Sequence, residues 1–134
     1  MFKGIIFDLD GVLADTATVH LAAWKKLAGE LGLPFDDELG TRLKGVDRMA
    51  SLEMILKGAA RTYTEDEKAT LADRKNHHYR QKIARFGPQN LLPGARRAIE
   101  TARAAGLKVA LASASRNAPM LTERLGIADL FDHI

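Results

Sequence analysis

The run Gly4-Ile5-Ile6-Phe7, closed by Asp8-Leu9-Asp10-Gly11, constrains this chain more than any other feature. An unbroken apolar stretch of β-branched and aromatic residues is how a strand buried on both faces of a parallel sheet reads, so Lys3 to Asp8 is expected as such a strand. Past Asp15-Thr16 the period becomes helical. His20, Trp24, Leu27 and Leu31 recur at three- and four-residue spacing, and Gly32 supplies the stop.

Three more helical segments follow, at about Asp36 to Leu43, Asp47 to Leu56, and Thr64 to Phe86. Thr64 and Glu67 have the spacing of a capping box, which satisfies two otherwise unpaired donors at a helix start. Gly87-Pro88 ends the last segment. The pattern then reverts: a helix opened by Pro93-Gly94 with Ala95, Ala98, Ile99 and Ala102 on one face, a second buried-strand candidate at Leu107 to Ala112, a helix from about Pro119 to Leu125, and Leu130 to Ile134 as the approach to a third strand. This is the order of a doubly wound α/β domain, residues 1–15 and 88–134, interrupted by a helical insert, residues 16–87. Two strands and the start of a third are few for such a core.

With 46% hydrophobic and 28% charged residues, the 134-residue chain has the balance of a soluble globular protein. It has no cysteine, so disulfides and thiolate metal sites are excluded. The N-terminus lacks the regions of a signal peptide, and no apolar stretch approaches the roughly 20 residues of a membrane helix. A cytosolic protein is expected. The formal charge of +3 is spread among interspersed Lys, Arg, Asp and Glu, without the stripe of a nucleic-acid footprint. Neither nucleic acid nor membrane is expected as a partner, and the mild positive bias suits an anionic small substrate.

Because side chains alternate along a strand, Asp8 and Asp10 project to one side at the carboxyl end of the first strand while Leu9 points away. In open parallel sheets that end is where ligands bind. Two adjacent carboxylates repel unless a cation or proton lies between them, so the pair points to a Mg²⁺ site with one group left for chemistry. On spacing alone, a pair of turn aspartates is the better reading. A calcium loop is excluded, since its sixth and twelfth positions, counted from Asp8, are Leu13 and Val19 rather than Gly and Glu.

The apolar run before Asp8, then Gly11-Val12 and Asp15-Thr16, resemble the first signature of the haloacid dehalogenase (HAD) superfamily, and Ser113 after the second strand resembles its second signature. Further blocks narrow the resemblance. Asp15-Thr16-Ala17, His20 with Ala23-Trp24-Lys25, Leu43-Lys44-Gly45-Val46 with Arg48 and Ser51, Arg74-Lys75-Asn76 with Tyr79, Leu92-Pro93-Gly94, and Ala110 to Ser115 with Asn117 are similar to the β-phosphoglucomutase family.

The resemblance implies a HAD-like Rossmann-type parallel-sheet core with an inserted α-helical cap, and a Mg²⁺-dependent transfer of phosphate between C1 and C6 of β-glucose. Asp8 is then the nucleophile that forms an aspartyl phosphate, and Asp10 the general acid/base; both are metal ligands. Ser113 and Ala114 bind the transferring phosphoryl group. Arg48 of the cap, with Ser115, Arg116 and Asn117 of the core, grips the second phosphate of a bisphosphorylated intermediate. Thr16, His20 and Lys75 serve the site, with His20 pairing with Asp10 and Lys75 reaching the active-site region when the cap closes. Trp24 and the loop that includes Leu43, Gly45, Val46 and Ser51 line the sugar pocket. Taken without the resemblance, Lys75 reads as an exposed lysine and His77-His78 as a solvated pair.

Two positions depart from the family pattern. Arg116 stands where Lys is usual, which keeps the charge but not the geometry. Asp47, a helix N-cap by type, stands where a small polar residue is common. The family's phosphoryl-neutralising Lys and the acidic pair that completes its metal site both follow the third strand, beyond Ile134. The chain is therefore expected to be the N-terminal part of a longer protein, a monomer when complete. Two alternatives stay open: a sugar-phosphate phosphatase of the same superfamily, and an inactive fragment or phosphosugar-binding module.

Overall fold

The computed structural model describes residues 3–134, so the first two positions of the 1–15 segment lie outside it. Two compact units are present: the chain up to Ala17 together with Arg85–Ile134, and Thr18–Ala84.

In the first unit, β1 (Gly4–Asp8) and β2 (Lys108–Ala112) pair in parallel, with Ile6 opposite Ala110 and Asp8 opposite Ala112. Helix α5 (Ala95–Ala104) leads into β2 and buries Ala95, Ile99 and Ala102, one stripe of its surface. Helix α6 (Ala118–Arg124) follows β2, and Leu9, Leu13, Leu121, Leu125 and Ile127 complete the apolar interior. β2 alternates as a strand with one covered face should, with Val109 and Leu111 buried between exposed Lys108 and Ala112.

β1 departs from the sequence expectation. It is not buried on both faces: Ile6 is 71% exposed and Ile5 is also open. Among the described residues β1 pairs with β2 alone, so nothing covers its other edge or the Ile6 face. Apolar composition marks what a strand can bury, while burial itself comes from neighbours. Leu130 to Ile134 likewise forms no strand. Asp132 N–H donates to the Val109 carbonyl (2.7 Å), Leu111 N–H donates to the His133 carbonyl (2.9 Å), and Ala110 and His133 make a single parallel bridge.

The second unit is helical: α1 (Ala17–Glu30), α2 (Asp37–Arg42), α3 (Arg48–Leu56) and α4 (Glu65–Ile83). Trp24, Leu27, Leu39, Leu43, Leu52, Ile55 and Leu71 form its core. Each of the last three helices starts on a capping side chain. Asp36 accepts from Leu39 N–H at 2.7 Å, Asp47 accepts from Ala50 N–H at 2.8 Å, and Thr64 and Glu67 close a capping box on α4.

α4 was expected to reach Phe86 but stops at Ile83. Pro88 has no N–H to donate to the Ala84 carbonyl, and its ring disfavours the helical region for Gly87, so the last turn unwinds ahead of the break. Two 3-10 turns, Pro88–Asn90 and Ala128–Leu130, had no sequence signal, because a single turn has no period. Among the described residues no helix is long and apolar enough to cross a membrane.

Candidate active site

The register of the parallel pair carries Asp8 and the residue after Ala112 to the same end of the sheet. Asp8 is exposed there, and its Oδ1 accepts from the Leu9 N–H at 2.7 Å. Leu9 is fully buried and Asp10 half-buried, the alternation that puts the two carboxylates on the side away from the core. Asp10 lies beyond the strand proper, in an isolated bridge with Ala14. The turn between them depends on Gly11 at φ 78°, a left-handed conformation that favours glycine, and on Gly11 N–H donating to the Ala14 carbonyl at 2.8 Å. Leu92 N–H, at 2.8 Å from the Leu13 carbonyl, ties this turn to the second chain segment of the unit.

The two carboxylates are held differently. Asp10 Oδ1 accepts from the hydroxyl of fully buried Thr16, and Oδ2 lies 3.5 Å from the Ser113 hydroxyl. Asp8 makes its contact within its own turn. Beyond β2 the chain folds over its own serines: Ser115 N–H donates to Ser113 Oγ at 3.0 Å, and Asn117 N–H to Ser115 Oγ at 3.2 Å. These bonds fix a loop in which Ala114 and Arg116 are exposed and Asn117 is buried ahead of α6.

Asp8 and Asp10 are hard oxygen donors, and among the described residues no group of three or more His, Cys, Asp or Glu gathers into a cage. That donor set fits Mg²⁺, which is held by one or two carboxylates with water and phosphate oxygens filling the other positions.

The helical unit brings together His20, Trp24 and Lys75. Lys75 is 3% exposed, so the sequence reading of an ordinary exposed lysine is corrected. Its Nζ lies 2.8 Å from His20 Nδ1, 4.8 Å from the Trp24 ring centroid and 5.1 Å from that of Tyr79. The His20 nitrogen and the two aromatic faces all lie within reach of the ammonium, the rings at cation–π distance. The His20 ring in turn stacks on Tyr79, with centroids 4.0 Å apart and planes 11° from parallel.

Leu43 is buried; exposed Gly45, at φ 72°, and half-buried Val46 form the turn into α3. Ser51 is buried, with its hydroxyl 3.4 Å from the Val46 carbonyl. Arg48, the first residue of α3, donates from Nη2 to Asn76 Oδ1 at 3.1 Å. Sequence reasoning assigned nothing to Asn76 or Tyr79. The 75/79 spacing on α4 was the available signal, since residues four apart share a helix face.

His78 also departs from expectation. It is not one of a solvated pair: its Nε2 lies 3.0 Å from Glu30 Oε1, and its side chain is largely buried while His77 is exposed. The hydrogen bond from His78, with the charges of Arg74 and Lys26 nearby, holds the Glu30 carboxyl below its ordinary range.

A parallel strand pair ending in a carboxylate turn, with a serine loop after its second strand and a helical insert between the strands, defines an α/β protein with an inserted helical segment. The chain belongs to the haloacid dehalogenase-like hydrolase family, whose family model matches residues 2–134. It is 46% identical over 98% of its length to the β-phosphoglucomutase of Bacillus subtilis, and covers 59% of that protein. The crystal structure of β-phosphoglucomutase from Clostridium difficile superposes with a TM-score of 0.94 at 40% identity, covering 100% of this chain and 61% of that one. A phosphorylated carbohydrates phosphatase of Thermotoga maritima is 27% identical over 97% of the chain and is covered to 59%. The fold is thus the HAD-like α/β core with helical insert that the sequence led us to expect, and the chain spans about three fifths of the length of these relatives.

Proposed function

We propose that the protein to which this chain belongs is a Mg²⁺-dependent β-phosphoglucomutase acting on a phosphosugar in the cytosol. The observation that supports this chemistry is the asymmetry of the acids: Asp10 is restrained by two hydroxyls, while Asp8 stands exposed at the strand end. A nucleophile must reach phosphorus, whereas a proton carrier must be held at one place.

The cycle starts from the aspartyl phosphate of Asp8: the C6 hydroxyl of β-glucose 1-phosphate gives its proton to Asp10, its oxygen attacks the phosphorus, and the bond to Asp8 breaks, which yields glucose 1,6-bisphosphate and the free Asp8 carboxylate. Asp8 then attacks the C1 phosphoryl group as the bond to the C1 oxygen breaks, and Asp10 gives that oxygen the proton, which yields glucose 6-phosphate and restores the aspartyl phosphate. Mg²⁺, when held by Asp8 and Asp10, offsets the negative charge of the carboxylates and the phosphoryl oxygens.

Ser113 and the Ala114 backbone bind the transferring group. Arg48, Ser115, Arg116 and Asn117 hold the other phosphate, with the guanidinium suited to two oxygens at once. Thr16 restrains Asp10. His20 and Lys75 act as a coupled pair serving the site, and Trp24, Leu43, Gly45, Val46 and Ser51 shape the sugar pocket.

Similarity to the Bacillus mutase favours transfer to sugar over transfer to water. The 27% identity to the Thermotoga phosphatase supports a second reading, in which water takes the phosphate from Asp8. Incubating the whole protein with β-glucose 1-phosphate and a trace of the bisphosphate separates the two: glucose 6-phosphate is expected, and free glucose as the main product means a phosphatase.

A further inference from the structure

Two contacts act on the His20 ring, one on its face and one on its edge. The face stacks on Tyr79, with centroids 4.0 Å apart and planes 11° from parallel. At the edge, Nδ1 meets Lys75 Nζ at 2.8 Å. The same ammonium lies 5.1 Å from the Tyr79 centroid, so Tyr79 faces both members of the pair.

Two helices supply these groups at one spacing. His20 and Trp24 are four apart on α1, Lys75 and Tyr79 are four apart on α4, and residues four apart share a helix face. Tyr79 is fully buried, whereas His20 is only half-buried. A fully enclosed ring in a close-packed interior has little room to turn. Tyr79 is thus a rigid plate against which a more open imidazole lies.

A histidine side chain ordinarily turns about two bonds. Stacking on a fixed plate sets the ring plane. The Nδ1 lone pair lies in that plane, and a donor held on it stops the ring from exchanging one edge for the other. With the plane set by Tyr79 and the edge by Lys75, Nε2 is left with one direction, as the N–H end of a neutral imidazole.

We propose that Tyr79 is a positioning residue for phosphoryl transfer, its ring holding the His20 imidazole so that Nε2–H is presented to the site as a hydrogen-bond donor of fixed direction. This inference rests on the role proposed for His20. A preorganised donor avoids the cost of ordering the ring when the ligand arrives. A side chain of similar bulk without a flat face fills the volume and leaves the imidazole plane unset.

The test uses the whole protein with β-glucose 1-phosphate. Tyr79→Leu removes the plate and is expected to lower kcat/KM about fivefold, the worth of one neutral hydrogen bond. Tyr79→Phe keeps the plate and is expected to recover most of that loss. Nitrogen NMR supplies a readout that packing alone does not move: the His20 ring signals should shift toward a tautomer mixture in Tyr79→Leu and stay in place in Tyr79→Phe. The indole N–H signal of buried Trp24 shows which variants keep the helical unit folded. Where Tyr79→Leu loses that signal, Tyr79→Met, with a longer flexible side chain, takes its place. In the wild type itself, the His20 ring protons are expected upfield of those of free imidazole, shielded by the ring beneath them, and unshifted protons overturn the proposal without any variant.

A double-mutant cycle with His20→Ala separates the inference from its foundation. If His20→Ala lowers kcat/KM and Tyr79→Leu adds nothing in that background, the proposal stands. If Tyr79→Leu acts equally with or without His20, or Tyr79→Phe loses as much as Tyr79→Leu, the positioning role is overturned while the role of His20 survives. A His20→Ala protein with unchanged kcat/KM overturns both.

Discussion

Lys75 Nζ lies 2.8 Å from His20 Nδ1, a contact between α4 and α1 across 55 residues of sequence. An ammonium has only protons to offer, so Nδ1 is the acceptor and the neutral imidazole carries its proton on Nε2. Nitrogen NMR on the labelled protein is expected to show the Nε2–H tautomer for His20. Lys75→Met should shift the ring nitrogen signals toward a tautomer mixture, and an unchanged spectrum would show that Lys75 does not set the proton.

The same burial predicts a stability cost. Lys75→Ala removes a largely enclosed side chain from between His20, Trp24 and Tyr79, and should cost about 2–5 kcal/mol. Lys75→Met keeps the volume but leaves His20 Nδ1 without this donor, for a cost of about 1–3 kcal/mol. Urea unfolding measures both, and a loss below the error of that method in both variants would contradict the buried placement.

That placement was not legible in the sequence, and the reason is physical. α4 is strongly polar, so one lysine among many gives no sign that its stem and head are enclosed; the partners come from α1, far away in the chain. His78 escaped for the same reason, since Glu30 lies at the end of that other helix. What local chemistry decides was legible: the Thr64–Glu67 capping box, the Asp36 and Asp47 caps, and the turn of Asp8, Asp10 and Gly11. Ile5 and Ile6 mark the limit of composition, because their run has the character of a central strand and β1 is open on one side.

Thr16→Val is nearly isosteric and removes the hydroxyl that holds Asp10. A positioned proton carrier contributes about 10² to 10⁴ in rate, and loss of one restraint should remove about one to two powers of ten of turnover. Formation of the phosphoenzyme from acetyl phosphate should persist. Unchanged kcat in steady-state assays of the whole protein would show that Asp10 is positioned by other means.

Asp132 gives an acid-limb prediction. The Val109 backbone N–H, with Lys108 and Arg103 nearby, holds its carboxyl below the ordinary value of 3.8. A depressed folded-state value means that the stability contributed is complete above pH 3.8 and is lost as the pH falls from there through the folded-state value. Asp132→Asn should therefore lie below the wild type in denaturant midpoint near neutrality and converge with it in strong acid. Parallel curves over that acid range would rule out a folded-state charge effect at Asp132.

The division of labour between Asp8 and Asp10 is tested most directly by intact-mass spectrometry of the whole protein after incubation with acetyl phosphate and Mg²⁺. Wild type and Asp10→Asn are expected to gain one phosphoryl group, the latter holding it longer because proton transfer is impaired, and Asp8→Asn to gain none. A phosphoryl adduct on Asp8→Asn, lost on treatment with hydroxylamine as an acyl phosphate is, would place the nucleophile elsewhere and contradict the proposed mechanism.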